Sequence, residues 1–144
     1  MKLRIAKFAL ALLAAPLFAG GFWLQMGTPD ANSDARARNA ALIVRAVGCH
    51  DPAAAQVSGV AIRMVDGHKQ ATPLKLVALK EPGTYAVVRD WPADAAVTLK
   101  FVGHNAGIST SMLVQANGES VQKASAKFYP HEPTVEEEAA SLVR

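Results

Sequence analysis

AVTLKFVGHNAGISTSMLV, residues Ala96 to Val114, decides how this chain folds. Its first half alternates Val97, Leu99 and Phe101 with Thr98 and Lys100, and its second puts Ile108, Thr110, Met112 and Val114 at every other position. Alternation with period two places each apolar set on one face of an extended strand. Between them, Gly103 to Gly107 (GHNAG) reads as a hairpin loop. It joins two strands and opens no helix, which argues against a phosphate-binding loop.

The same pattern extends in both directions. Ala41 to Val47 can bury Leu42, Val44 and Ala46 opposite Arg45, and Ser58 to Met64 can bury Val60, Ile62 and Met64 opposite Gly59, Ala61 and Arg63. Asp66-Gly67 supplies a turn able to take positive φ. Thr72 to Lys80 follows with Leu74, Leu76 and Ala78 on one side, then the Glu81-Pro82-Gly83 turn. In Thr84 to Asp90, Tyr85 and Val87 compete with Ala86 and Val88 for the inside, and Trp91-Pro92 ends the strand. After the Asn117-Gly118 turn, Val121 to Tyr129 can bury Ala124, Ala126 and Phe128. Seven strands, each with one apolar face, predict an all-β, seven-stranded antiparallel β-sandwich over residues 39–130. A closed barrel is the alternative. Thr134 and Glu137 have capping-box spacing, so residues 131–144 read as a short helical tail whose Ala139, Ala140, Leu142 and Val143 cover part of the sheets.

The N-terminal end is of a different kind. Lys2, Arg4 and Lys7 precede Phe8 to Met26, a run of 19 residues without a charge. This is an export signal, and residues 1–26 are a signal peptide or an uncleaved membrane anchor, helical in either case. Ala19-Gly20-Gly21 offers a small-residue cleavage site, while Phe22 and Trp23 suit the far interface of a membrane span and tilt the reading to an anchor through residues 8–26. Either fate keeps the N-terminus in the cytoplasm and puts the C-terminus outside, in the periplasm or tethered to the inner membrane. Residues 27–38 (GTPDANSDARAR) lack apolar periodicity and read as a flexible linker.

Charge and cysteine count narrow the function. Of 15 Lys plus Arg, three lie in the leader, leaving 12 against 12 Asp plus Glu, so the body has no basic excess for nucleic acid. A lone cysteine, Cys49, excludes an internal disulfide, a CxxC pair and a multi-thiolate zinc site. Cys49-His50-Asp51 puts a thiol, an imidazole and a carboxylate in a row, but successive side chains on an extended chain diverge, which argues against a catalytic pair. There is no GxSxG motif. If Cys49, His50, His104 and Met112 met at one end of the sheets, they would form a soft donor set suited to copper. The ordinary reading of the histidines is surface residues near turns. Trp91, if exposed, is a candidate hot spot for a partner.

Pro73-Leu74-Lys75-Leu76, Pro82-Gly83-Thr84-Tyr85-Ala86-Val87, Trp91-Pro92 and the Val97 to Phe101 strand resemble small exported bacterial sandwich domains of immunoglobulin or transthyretin type, carboxypeptidase-regulatory-like and YtkA-like modules among them. The resemblance covers about 60 residues. It implies a fold and, for most such modules, no enzymatic activity; some YtkA-like relatives occur with copper proteins. The expectation is therefore a non-enzymatic binding or accessory domain for another envelope protein, with a copper-binding or metallochaperone-like domain as the alternative.

Overall fold

The computed structural model describes residues 21–48 and 51–143. Among these, nine strands form two antiparallel sheets, with one short helix at the C-terminal end. The strands are β1 (Trp23–Gly27), β2 (Leu42–Val47), β3 (Gln56–Val65), β4 (His68–Pro73), β5 (Leu76–Ala78), β6 (Thr84–Val87), β7 (Ala96–Asn105), β8 (Ile108–Asn117) and β9 (Ser120–Tyr129), and the helix is α1 (Val135–Ser141). The smaller sheet runs β1-β2-β6-β5 and the larger β4-β3-β7-β8-β9. The leader helix expected over residues 1–26 falls largely outside the described residues, and no described helix is long and apolar enough to cross a membrane.

The β7–β8 hairpin forms as its alternation requires. Asn105 pairs with Ile108, leaving Ala106 and Gly107 as a two-residue turn, both at positive φ. Asp66-Gly67 closes the β3–β4 hairpin in the same way. Such turns match the right-handed twist of the flanking strands. Val97, Leu99, Phe101, Met112 and Val114 from the larger sheet then meet Leu42, Val44, Ala46 and Val87 from the smaller one in a single core.

Nine strands replace the expected seven for two reasons. The expected strand Thr72 to Lys80 is divided between the end of β4, which starts at His68, and β5, because the chain changes sheets at Leu74: the Leu74 amide donates to the Gly59 carbonyl in one sheet, while the Lys75 carbonyl accepts from the Val88 amide in the other. The second addition is β1, which lies where the sequence reads as the end of the leader and the start of the linker. Its residues alternate, with Leu24 and Met26 packed on the core and Trp23 and Gln25 turned away. Phe22, just before the strand, is 8% exposed and Leu24 only 1%. Both lie over Gly103 of β7, where a Cβ would come within 2.9 Å of the Phe22 ring and 3.0 Å of the Leu24 methyl. Absence of a side chain at Gly103 is what lets β1 approach the opposing sheet.

The supposed linker is also packed. Ala37 and Ala40 join Ile43, Val77, Leu79 and Ala86 in a second apolar cluster on the outer face of the smaller sheet. Asp34 clamps this segment: its carboxylate accepts from the Arg36 guanidinium at 3.0 and 2.7 Å, from the Arg36 amide at 3.0 Å and from the Lys80 amide at 2.9 Å. Because Ala86 is buried in this cluster and Val87 in the main core, neither face of β6 loses the competition for the inside.

Strand β3 turns the opposite way from its expected orientation. Gly59 and Ala61 face the main core, because the Phe101 ring lies over Gly59 at a distance of 2.9 Å from where a Cβ would stand. Ile62 is buried on the outer face and Met64 is exposed. That outer face carries α1, held by polar contacts and not by the alanines: Ala139 and Ala140 are exposed, while Glu138 and Ser141 point to the sheet. Glu138 receives both Lys69 Nζ and Lys100 Nζ at 2.6 Å, and Thr98 Oγ1 donates to the Ser141 carbonyl at 2.8 Å. The capping box forms as expected, with the Thr134 amide donating to Glu137 Oε2 and the Glu137 amide to Thr134 Oγ1.

These two carboxylates give the fold an acid-sensitive stability. Hydrogen bonds from Arg36 and Lys80 hold Asp34 well below the ordinary carboxylate range. Burial pushes Glu138 up, but hydrogen bonds from Lys100 and Lys69 outweigh it and lower the group. A folded-state pKa below the unfolded value stabilises above the unfolded value, about 3.9 for Asp and 4.3 for Glu, and that stabilisation disappears as pH falls further. Urea midpoints should thus be level near neutrality and fall below about pH 4.5. In Asp34→Asn and Glu138→Gln the acid slope should be shallower; an unchanged slope in both would contradict the assignment.

Candidate functional site

The two sheets are unequal, and the inequality creates a surface. Strand β1 is the edge of the smaller sheet and lies across β8 and β9 of the larger. Strand β9 is the opposing edge, and its inner face overhangs β1. Phe128 is paired with Met112 and so belongs to the core-facing side, but it is 52% exposed, contrary to the expected burial. Ala124 is exposed too. The physical reason is coverage: the smaller sheet ends at β1, and among the described residues none lies over the far part of β9.

The result is an open groove of ≈ 460 Å³ between the two edges, lined by Trp23 to Met26 on one side and by Lys123, Ala126 and Phe128 on the other. Trp23 is 44% exposed at its rim, with its ring against Gly48. The β9 wall is shaped by a bulge, since the pairing shifts register between Leu113 and Gln115 and resumes at Gln122. Ser125 stitches this bulge, accepting from the Gln115 amide at 2.8 Å and donating to the Gln122 carbonyl at 2.6 Å. Bulges of this kind bend an edge strand and re-aim its side chains. Along β1, only one edge is paired among the described residues, to β2, so alternate backbone N–H and C=O groups on the other edge face the groove with no described strand as partner.

The residues singled out by sequence are distributed differently. Trp91 is 6% exposed and its Nε1 donates to the Gly118 carbonyl at 2.8 Å, so it is a packing residue and not a docking anchor. A buried Trp whose one donor is satisfied has nothing left to offer a partner. Cys49 and His50 lie outside the described residues. His104 and Met112 are not brought together: Met112 pairs with Phe101 on the core-facing side and is fully buried, whereas His104 is on the outer side of β7, exposed, with Nδ1 2.8 Å from Ser109 Oγ. A sheet separates them, so a copper site cannot use both. Asp51 caps a 3-10 turn by accepting from the Ala53 amide at 3.1 Å. Among the described residues no group of three or more His, Cys, Asp or Glu converges as a metal site would need.

No known protein family matches this chain, and neither a curated protein nor a solved structure is detectably similar to it. Sequence reasoning passed over Trp23 and Met26 because they fall inside the apolar run of the leader. The signal was there in Gln25: a polar residue flanked by Leu24 and Met26 is the alternation of a strand, not the continuous face of a span.

Proposed function

We propose that this chain is a non-enzymatic, envelope-exposed binding domain that takes up an extended segment of a partner protein along the free edge of β1. The observation that carries this reading is the apolar groove between two strand edges, with Trp23 and Phe128 exposed on its opposite walls. Soluble monomers rarely leave large aromatic surface and an unpaired strand edge side by side. An added strand would satisfy the outward N–H and C=O groups of β1 while setting alternate side chains into the groove. Lys123 is the one charged residue among the described residues that line the groove, so the occupant combines apolar side chains at every second position with an acidic residue. The fold reading that goes with this is a sandwich of immunoglobulin or transthyretin type, outside the cytoplasm, with β1 as an added edge strand.

A library of random ten-residue peptides, selected on the domain beginning at Phe22, tests the proposal. Enriched sequences should alternate apolar residues and carry an acidic one, and Trp23→Ala with Phe128→Ala should weaken them by at least about 30-fold, the effect of losing one hot spot of about 2 kcal/mol. Peptides that bind the double variant equally would overturn it. So would a concentration-dependent dimer that buries the same edge, since the occupant would then be a second copy.

A further inference from the structure

We infer that the leader is removed by cleavage between Gly21 and Phe22, so that the domain is released with Phe22 as its first residue. The inference rests on the export reading of the leader. It is carried by an accounting of the apolar run against β1. Residues 23–26 cannot lie in a bilayer and also form a strand paired to β2, and Leu24 and Phe22 are in the core. Subtracting them shortens the uncharged run from 19 residues to the 14 between Phe8 and Gly21. As a helix these would reach about 21 Å at ~1.5 Å per residue, well short of the ~30 Å hydrocarbon core. The same residues fit a signal peptide: Phe8 to Phe18 is an apolar segment of eleven, within the ~7–15 typical of such segments, and Ala19-Gly20-Gly21 follows with small residues at the two positions a signal peptidase reads.

Two further features agree. The aromatic pair that tilts the sequence toward an anchor has another use, with Phe22 over Gly103 and the Trp23 ring against Gly48. Moreover, residues 27–38 are packed on the smaller sheet through Ala37 and the Asp34 clamp, which leaves no spacer between a span and the domain. Cleavage one bond earlier or later fits less well. A cut after Gly20 would put Phe18 where a small residue is needed, and a cut after Phe22 would put Phe22 itself at the scissile bond and remove it from the core.

The test expresses the full chain in a bacterial host and reads the N-terminus of the osmotic-shock fraction by intact mass and N-terminal sequencing. Phe22 is the expected first residue, and Ala19→Leu should convert most of the chain to a membrane-retained precursor that begins at Met1. Several results would overturn the inference. Wild-type chain beginning at Met1 in the membrane fraction, with its domain digested by protease added to spheroplasts, would defeat cleavage while leaving export intact. Chain beginning at Met1 in the cytosolic fraction would defeat the export reading itself. Processing at any other bond, or wild-type processing of Ala19→Leu, would also contradict the proposed site.

Discussion

Phe101→Ala is expected to lose about 3–5 kcal/mol of stability, the range for truncating a fully buried aromatic ring. The ring is completely enclosed, stands over Gly59 on the neighbouring strand and belongs to the core shared by both sheets. Gly59 has no side chain that could move into the space, and Leu74, which also touches it, is fixed at the point where the chain changes sheets. The cavity therefore stays open and the cost falls in the upper part of the range. With m near 1–3 kcal/mol/M for urea, the denaturation midpoint should drop by at least about 1 M. A loss under about 1 kcal/mol would mean that the Phe101 ring is not enclosed between Gly59 of the neighbouring strand and the opposing sheet.

The second large effect concerns β1. Leu24→Ala should cost about 2–5 kcal/mol, and a chain beginning at Thr28 should fail to fold cooperatively. Removing β1 takes Phe22, Leu24 and Met26 from the core, bares Gly103 and exposes the edge of β2 along its whole pairing from Ile43 to Val47. Each lost apolar side chain forfeits roughly 1.5–3 kcal/mol of burial, and the sum approaches the total stability of an ordinary domain. Thermal melting followed by circular dichroism separates the outcomes. A Thr28 chain melting like the chain from Phe22 would show that β1 is dispensable, and Leu24→Ala provides the same comparison without truncation.

Much of this fold was legible because some segments have only one way to satisfy their pattern. Val97, Leu99 and Phe101 alternate cleanly and take the core side, and Asp66-Gly67 is a dipeptide that tolerates the positive φ of a tight hairpin. Thr134 and Glu137 carried the start of α1 in their spacing alone. Other segments were ambiguous until a tertiary neighbour was known. In β3, the size of Val60, Ile62 and Met64 marks the wrong side as the inside: the core side is the glycine side, because Phe101 supplies the volume from the next strand. In α1, the residues that meet the sheet are Glu138 and Ser141, which only the lysines and the threonine beneath them explain.

The candidate site was hardly legible at all. Its two walls come from opposite ends of the chain, and one lies within a run whose hydrophobicity matched a leader. Phe128 has the period of a buried residue and is exposed only because the smaller sheet ends at β1. Trp91 had the composition of a hot spot and turned out to have its indole donor engaged in the interior. Exposure at a sheet edge is a property of strand order, and strand order is not written in any local stretch of sequence.

Strand β1, Trp23–Gly27, is an edge strand of the folded domain, and its free side is proposed to receive an extended segment. Amide hydrogen exchange over this segment, measured by mass spectrometry with and without a groove-selected peptide, addresses both halves at once. The account predicts intermediate protection in the free domain, since one side of β1 is paired to β2, and a further slowing in β1 when the peptide is bound. Exchange at the unstructured rate in the free domain, or no change in β1 at saturating peptide, would contradict it.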